Sequence, residues 1–230
     1  MPLDGDSRNP VPSRNAGDQI RLAGSPLCQR AHICAFFSNA DDEYRALLPF
    51  IKEGIDSGEM AVHAVDPQRR KDHMDRLTAA GIDVGVLQQS GQLELRDWTT
   101  AHLRDGRFDL ERTLELWESF TTDARQHGFP AARFVAHMEW ALEPGIGLVE
   151  LLKYEAKANI AWMRNAGRAN PVVCTYDVTR FSAEVIIEVM RTHPAVIIGG
   201  LLQENPFFVP PEEYLQELQE RQPGRTRIAA

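Results

Sequence analysis

The feature that most constrains this chain is a set of short runs that are apolar on consecutive residues, each followed by a longer stretch with helical periodicity. His32-Ile33-Cys34-Ala35-Phe36-Phe37 is the clearest of them. A strand alternates its side chains between two faces, so such a run needs cover on both sides. The pattern recurs at Met60 to Val65, Arg133 to His137, Val172 to Tyr176 and Ala195 to Ile198. Strands alternating with helices predict an α/β fold, a mainly parallel sheet with helices on both faces. The strand His32 to Phe37 is expected in the interior of that sheet.

The intervening helices read from their apolar faces. Tyr44, Leu47, Leu48, Ile51 and Ile55 mark the first, with Asn39 or Asp41 available to cap it, Pro49 inside it and Gly58 closing it. Leu110, Leu114, Trp117, Phe120 and Ala124 mark another, which ends at Gly128. Helices are also expected over about 68–80, 148–163 and 183–190, and Pro210-Pro211-Glu212-Glu213 opens a last one. Ile82-Asp83-Val84 reads as a short strand, and Gln92 to Arg96 as an alternating edge strand. Residues 1–24, rich in Asp, Ser, Asn, Pro and Gly, read as a disordered arm, and 222–230 as a flexible tail. That leaves one domain over residues 25–221.

Charge narrows the function classes. The net charge of −8 and the lack of a basic run argue against direct binding to nucleic acid. Arg69-Arg70-Lys71 reads as a solvated helix face. No stretch reaches the ~20 apolar residues of a membrane span, and Asp4, Asp6 and Ser7 near the first residue leave no signal peptide to be expected there. The three cysteines, Cys28, Cys34 and Cys174, lack CxxC spacing, and two lie in apolar runs, which points to a reducing cytoplasm.

Ligands of an open parallel sheet bind beyond the carboxyl ends of its strands. That rule selects Phe37 and Ser38, Asp66, Glu139 and Trp140, and Tyr176 and Asp177. Of these, Phe37, Ser38, Glu139, Trp140, Tyr176 and Asp177 are the expected ligand-binding residues, in a pocket mixing aromatic and polar groups. The turn after the first strand, Phe37 to Glu43, has neither glycine nor lysine and carries Asp41, Asp42 and Glu43. It cannot cradle phosphates as a P-loop does, so neither tight triphosphate binding nor hydrolysis is expected. Glu155, beside the apolar face of its helix, is expected in a structural salt bridge with Arg133 or Arg191. The seven histidines show no HxxxH or HxH spacing, and His32, His63 and His137 lie on separate strands, so no metal is expected. No nucleophile elbow, Cys-His signature or carboxylate-pair motif is present. The chain reads as non-catalytic and without a cofactor.

Several segments, in order, resemble the MEDS family, a methanogen/methylotroph sensory domain named for a dichloromethane-responsive repressor. They are His32 to Phe37, Leu47 to Gly54, Gly91-Gln92-Leu93, Gly106-Arg107-Phe108, Met138-Glu139-Trp140-Ala141, Tyr154-Glu155, Cys174-Thr175-Tyr176-Asp177 and Arg191-Thr192-His193-Pro194. The likeness spans about residues 30–208. It implies a RecA-like relative of circadian-clock ATPases without a working P-loop, and a role in sensing small hydrocarbon derivatives for signalling or transcription regulation. Repressors of this kind carry a helix-turn-helix segment, and none is read here, so output is expected to pass through a protein partner or self-association. The expected ligand is small and apolar or weakly polar. Two other classes compete with this reading: a protein-interaction module that binds no small molecule, and an enzyme with an unrecognised site. The first would require Phe37, Trp140 and Tyr176 to be packed without a cavity. The second would require Glu139, Asp177 and a histidine to converge.

Overall fold

The computed structural model describes residues 20–27, 32–164 and 170–221. A hairpin of β1 (Arg21–Leu22) and β2 (Ser25–Pro26) precedes β3 (His32–Phe37), α1 (Ala40–Asp56), β4 (Met60–Val65) and α2 (Arg70–Ala79). There follow α3 (Val84–Gln89), β5 (Leu93–Asp97), the short α4 (Trp98–Ala101) and a second hairpin of β6 (Leu103–Arg104) and β7 (Arg107–Phe108). Then come α5 (Leu110–Gln126), β8 (Ala132–His137), a 3₁₀ turn (Met138–Leu142) and α6 (Leu148–Arg164). β9 (Val172–Asp177), α7 (Ala183–Arg191), β10 (Ala195–Ile198), β11 (Leu201–Glu204) and α8 (Pro211–Glu220) complete the order.

The central sheet has seven strands in the order β11-β10-β3-β9-β8-β4-β5. All neighbours are parallel except β10 and β11, which pair antiparallel through the turn at Gly199-Gly200. β3 lies inside, between β10 and β9, with all six residues buried. Its alternation sorts the two cores. Cys34 and Phe36 pack with α5, α6, α7 and α8, whereas Ile33, Ala35 and Phe37 pack with α1, α2 and α3. The protein is therefore a three-layer α/β structure, as its alternating runs require.

Local chemistry sets the helix ends. Asn39 caps α1 by accepting from the Asp42 N–H at 2.9 Å, and Ser182 and Asp109 cap α7 and α5 in the same way. Gly128, with a positive φ of 80°, ends α5.

Two expectations need correction, and one element is new. Ile82-Asp83-Val84 is no strand: the Asp83 carboxylate accepts from the Val86 N–H and starts α3. The edge strand β11 is a further element, which the paired glycines after β10 turn back along the sheet. Residues 20–24 belong to the β1–β2 hairpin, where Ile20 and Leu22 are buried against α1 and β3 rather than free. The rest of the expected arm, the tail from residue 222 and Cys28 lie outside the described residues.

Candidate functional site

Parallel strands of one sheet end on a common rim, and at the carboxyl ends of β3, β8 and β9 that rim borders a partly open cavity of about 150 Å³. Phe37 and Tyr176 supply aromatic wall, while Glu43, Arg69, Glu139 and Arg180 bring charge to it. Asn39 and Ala40, at the start of α1, close the side where a phosphate loop would lie.

The charges at this rim are mostly committed to one another. Arg69 binds the Glu43 carboxylate, and the Nε2 of His137 faces its other oxygen at 3.2 Å. Burial alone would raise the Glu43 pKa. His137 and Arg69 outweigh it and hold the acid down at about 2, so Glu43 is ionised. Arg180 reaches Asp66 at 3.2 Å. Glu139 differs. It is buried, its Oε2 has no hydrogen-bond partner among the described residues, and burial raises its pKa, opposed by His137. A buried carboxyl group left without a partner is costly, and a ligand able to hydrogen-bond would relieve it.

Four of the six residues expected to bind ligand line this cavity: Phe37, Glu139, Tyr176 and Asp177. Two do not. Ser38 is exposed and lines the neighbouring groove beside α1 and Gly199-Gly200. Trp140 is fully buried on the α5 and α6 side of the sheet, stacked on His102 at 4.8 Å and Phe108 at 4.6 Å. The 3₁₀ turn after β8 separates the neighbours, setting Glu139 at the rim and Trp140 in the core. Asp177 spends its Oδ1 on the Thr179 N–H and hydroxyl, at 2.9 and 2.6 Å. Glu139, Asp177 and a histidine therefore do not form one hydrogen-bonded group.

Asn39, Glu43, Arg69 and Arg180 were missed by the strand-end rule. Arg69 and Arg70 are also not a solvated face, because Arg70 reaches Asp97 at 2.8 Å while Arg69 turns to the cavity. Lys71 alone of the three is strongly exposed, beside Asp75. The available signal was position: Arg69 lies four residues past the end of β4 and Arg180 three past the end of β9.

Two buried polar clusters lie on opposite faces of the sheet. On the α1 and α2 side, Tyr44 Oη meets His73 Nδ1 at 2.6 Å, and His73 Nε2 meets His63 Nδ1 at 3.0 Å. Burial, then the charge of His137, drives the His63 pKa down to about 3. On the α6 side, Glu155 receives the Tyr176 hydroxyl and faces His32 and His193, each at 3.4 Å. The expected pairing of Glu155 with arginine fails for a geometric reason. Arg133 points to the other face of β8, where it binds Glu59 and the Phe50 carbonyl, and Arg191 binds Glu217 at 2.7 Å.

Comparison with known proteins agrees with this architecture. The chain is 26% identical over 196 residues to the transcriptional repressor DcmR of Methylorubrum extorquens, an alignment spanning 84% of this chain and 68% of the repressor. The family model described as "MEthanogen/methylotroph, DcmR Sensory domain" matches residues 31–194, from the strand that opens the sheet to the loop before β10. With most of its length covered, the chain belongs to the MEDS family of sensory domains.

Proposed function

We propose that this protein is a non-catalytic sensor whose strand-end cavity takes a small hydrocarbon derivative with at least one hydrogen-bonding group. The observation that carries this reading is Glu139, buried and unpartnered at Oε2, on the wall of a cavity also faced by Phe37 and Tyr176. An engineered apolar cavity of about 150 Å³ accepts benzene, which sets the scale at a few carbons. The wall is more polar than an aromatic pocket, so the weakly polar end of the expected range fits best. In the RecA-like arrangement that the family resemblance implies, this cavity would take the place of the nucleotide site. There Asn39 fills the helix cap and Glu43 supplies negative charge, which supports a ligand other than a nucleotide.

Burial of apolar surface at roughly 25 cal/mol per Å² gives a ligand of this size only a few kcal/mol. Affinity on the order of micromolar to millimolar follows. Output would pass to a protein partner or a second copy in signalling or transcription regulation, in the cytoplasm. Among the described residues no helix is long and apolar enough to cross a membrane. The free edge strand β11, with Leu201 exposed beside Ile198, offers a contact surface for that output.

The test is a thermal-shift screen of small alcohols, amines and halogenated alkanes on the wild type, Phe37→Ala and Glu139→Gln. A ligand of this cavity stabilises the wild type. Its shift shrinks in both variants, measured against each variant's own unliganded Tm. A ligand whose shift is equal in all three proteins would bind elsewhere and overturn the assignment.

A further inference from the structure

On the α6 side of the sheet, four side chains that can ligate a metal converge in full burial: His32, Glu155, Cys174 and His193. Their donor atoms all lie within 4.8 Å of one another. His32 Nε2 is 3.3 Å from Cys174 Sγ and 3.4 Å from Glu155 Oε2, which is also 3.4 Å from His193 Nε2. With Zn–N and Zn–O bonds of about 2.0–2.2 Å and Zn–S of about 2.3 Å, a tetrahedral site has edges of roughly 3.3–3.6 Å. These three separations fall on that scale.

The hydrogen bonds around the cluster point the same way. His193 Nδ1 is 2.9 Å from the Val189 carbonyl oxygen, which can only accept, so Nδ1 carries the proton. Nε2 then presents a lone pair toward Glu155 Oε2. Both atoms are buried and neither has a hydrogen-bond partner among the described residues. Two acceptors facing each other at 3.4 Å in a dry core repel unless something positive lies between them. An imidazolium proton would answer only if Nε2–H aimed at the oxygen, and the pair lacks hydrogen-bond geometry. The backbone carbonyl on the far nitrogen is the support usually found behind a metal-ligating histidine. Tyr176 holds the other carboxylate oxygen and so fixes the orientation of Glu155.

We propose that His32, Glu155, Cys174 and His193 form a closed, four-ligand site for a borderline-soft divalent cation of the zinc class. Charge balance favours it. A thiolate and a carboxylate contribute two negative charges, two neutral imidazoles contribute none, and a dication leaves the buried site neutral. Binding transfers the Cys174 thiol proton to solvent. Mixed sulfur, nitrogen and carboxylate ligation suits zinc and its spectroscopic stand-in Co²⁺ over magnesium or calcium. With no open position, the site is structural in kind, and Tyr176 stands between it and the strand-end cavity.

The full chain would be produced in medium supplemented with Zn²⁺ or Co²⁺, desalted, and assayed for metal by plasma emission. The wild type is expected to retain one equivalent. Its Co²⁺ form should show the visible bands of tetrahedral cobalt and a near-ultraviolet thiolate-to-cobalt charge-transfer band. That band should vanish in Cys174→Ser, and His193→Gln should lose the metal. Should these variants fail to fold, the double variant Cys28→Ser/Cys34→Ser, with Cys174 as its remaining thiol, must keep the charge-transfer band. A wild type that leaves desalting without metal overturns the site. So does a cobalt spectrum without a thiolate band, or one lost from the double variant.

Discussion

At the scale of single residues, burial has been paid for unevenly among the histidines, and their titration is where this shows. His63 and His102 are both held near pKa 3, first by burial and then, respectively, by the charges of His137 and Arg112. Their unfolded value is near 6.5. A depressed folded pKa means that the unfolded chain takes up the proton first. The stabilisation is therefore complete above about pH 6.5 and drains away as pH falls toward about 3. Each such histidine contributes a slope of up to about 1.4 kcal/mol per pH unit in that window. Thermal denaturation between neutral pH and pH 4 should show a steep fall in Tm. In His102→Phe, which keeps an aromatic ring against Trp140, the fall should be shallower. An unchanged slope would mean that His102 does not resist protonation. Such behaviour is not legible in sequence, because a histidine in an apolar run gives no sign of whether its ring nitrogens find partners. Both nitrogens of His102 are without one among the described residues.

At the scale of elements, the contact between α1 and β8 depends on one glycine. A β-carbon on Gly54 would stand 2.6 Å from both Cδ and Nε of Arg133. That arginine cannot swing away, being buried and bound to Glu59 and the Phe50 carbonyl. Gly54→Ala would gain about 1 kcal/mol of helix propensity against an overpacking cost of about 1–3 kcal/mol. Urea denaturation should therefore give a lower midpoint than wild type. A midpoint at or above wild type would show that Arg133 gives way freely. The elements themselves were largely readable, since apolar runs and helical periods report burial directly. The exceptions have physical causes. Val84 to Gln89 is too short for its period to outweigh the apolar alternation of Ile82-Asp83-Val84, and β11 carries only two leucines before Gln203 and Glu204, too short a run to stand out as a strand.

At the scale of the whole molecule, the sheet order brings distant segments to one rim, and the charge gathered there predicts what it will refuse. Asp42 and Glu43 follow a glycine-free turn, and Asn39 already satisfies the Asp42 N–H that an anion would use. Calorimetric titration with Mg-ATP should show no heat beyond dilution, whereas micromolar binding would place a phosphate site elsewhere on the molecule. From the sequence by itself came the layered α/β architecture, the interior place of His32 to Phe37, the missing phosphate loop and the family. These rest on local periodicity and on residue types at short spacing, which neighbouring residues along the chain determine. Only the tertiary structure decided which strand-end residues meet. It kept Phe37, Glu139, Tyr176 and Asp177 at the cavity and sent Trp140 to the core, because the turn after β8 points adjacent side chains in different directions. It also decided the partners of Glu155. They come from β3, β9 and the loop before β10, segments far apart in the chain that parallel pairing sets side by side, whereas the pleat carries Arg133 to the opposite face.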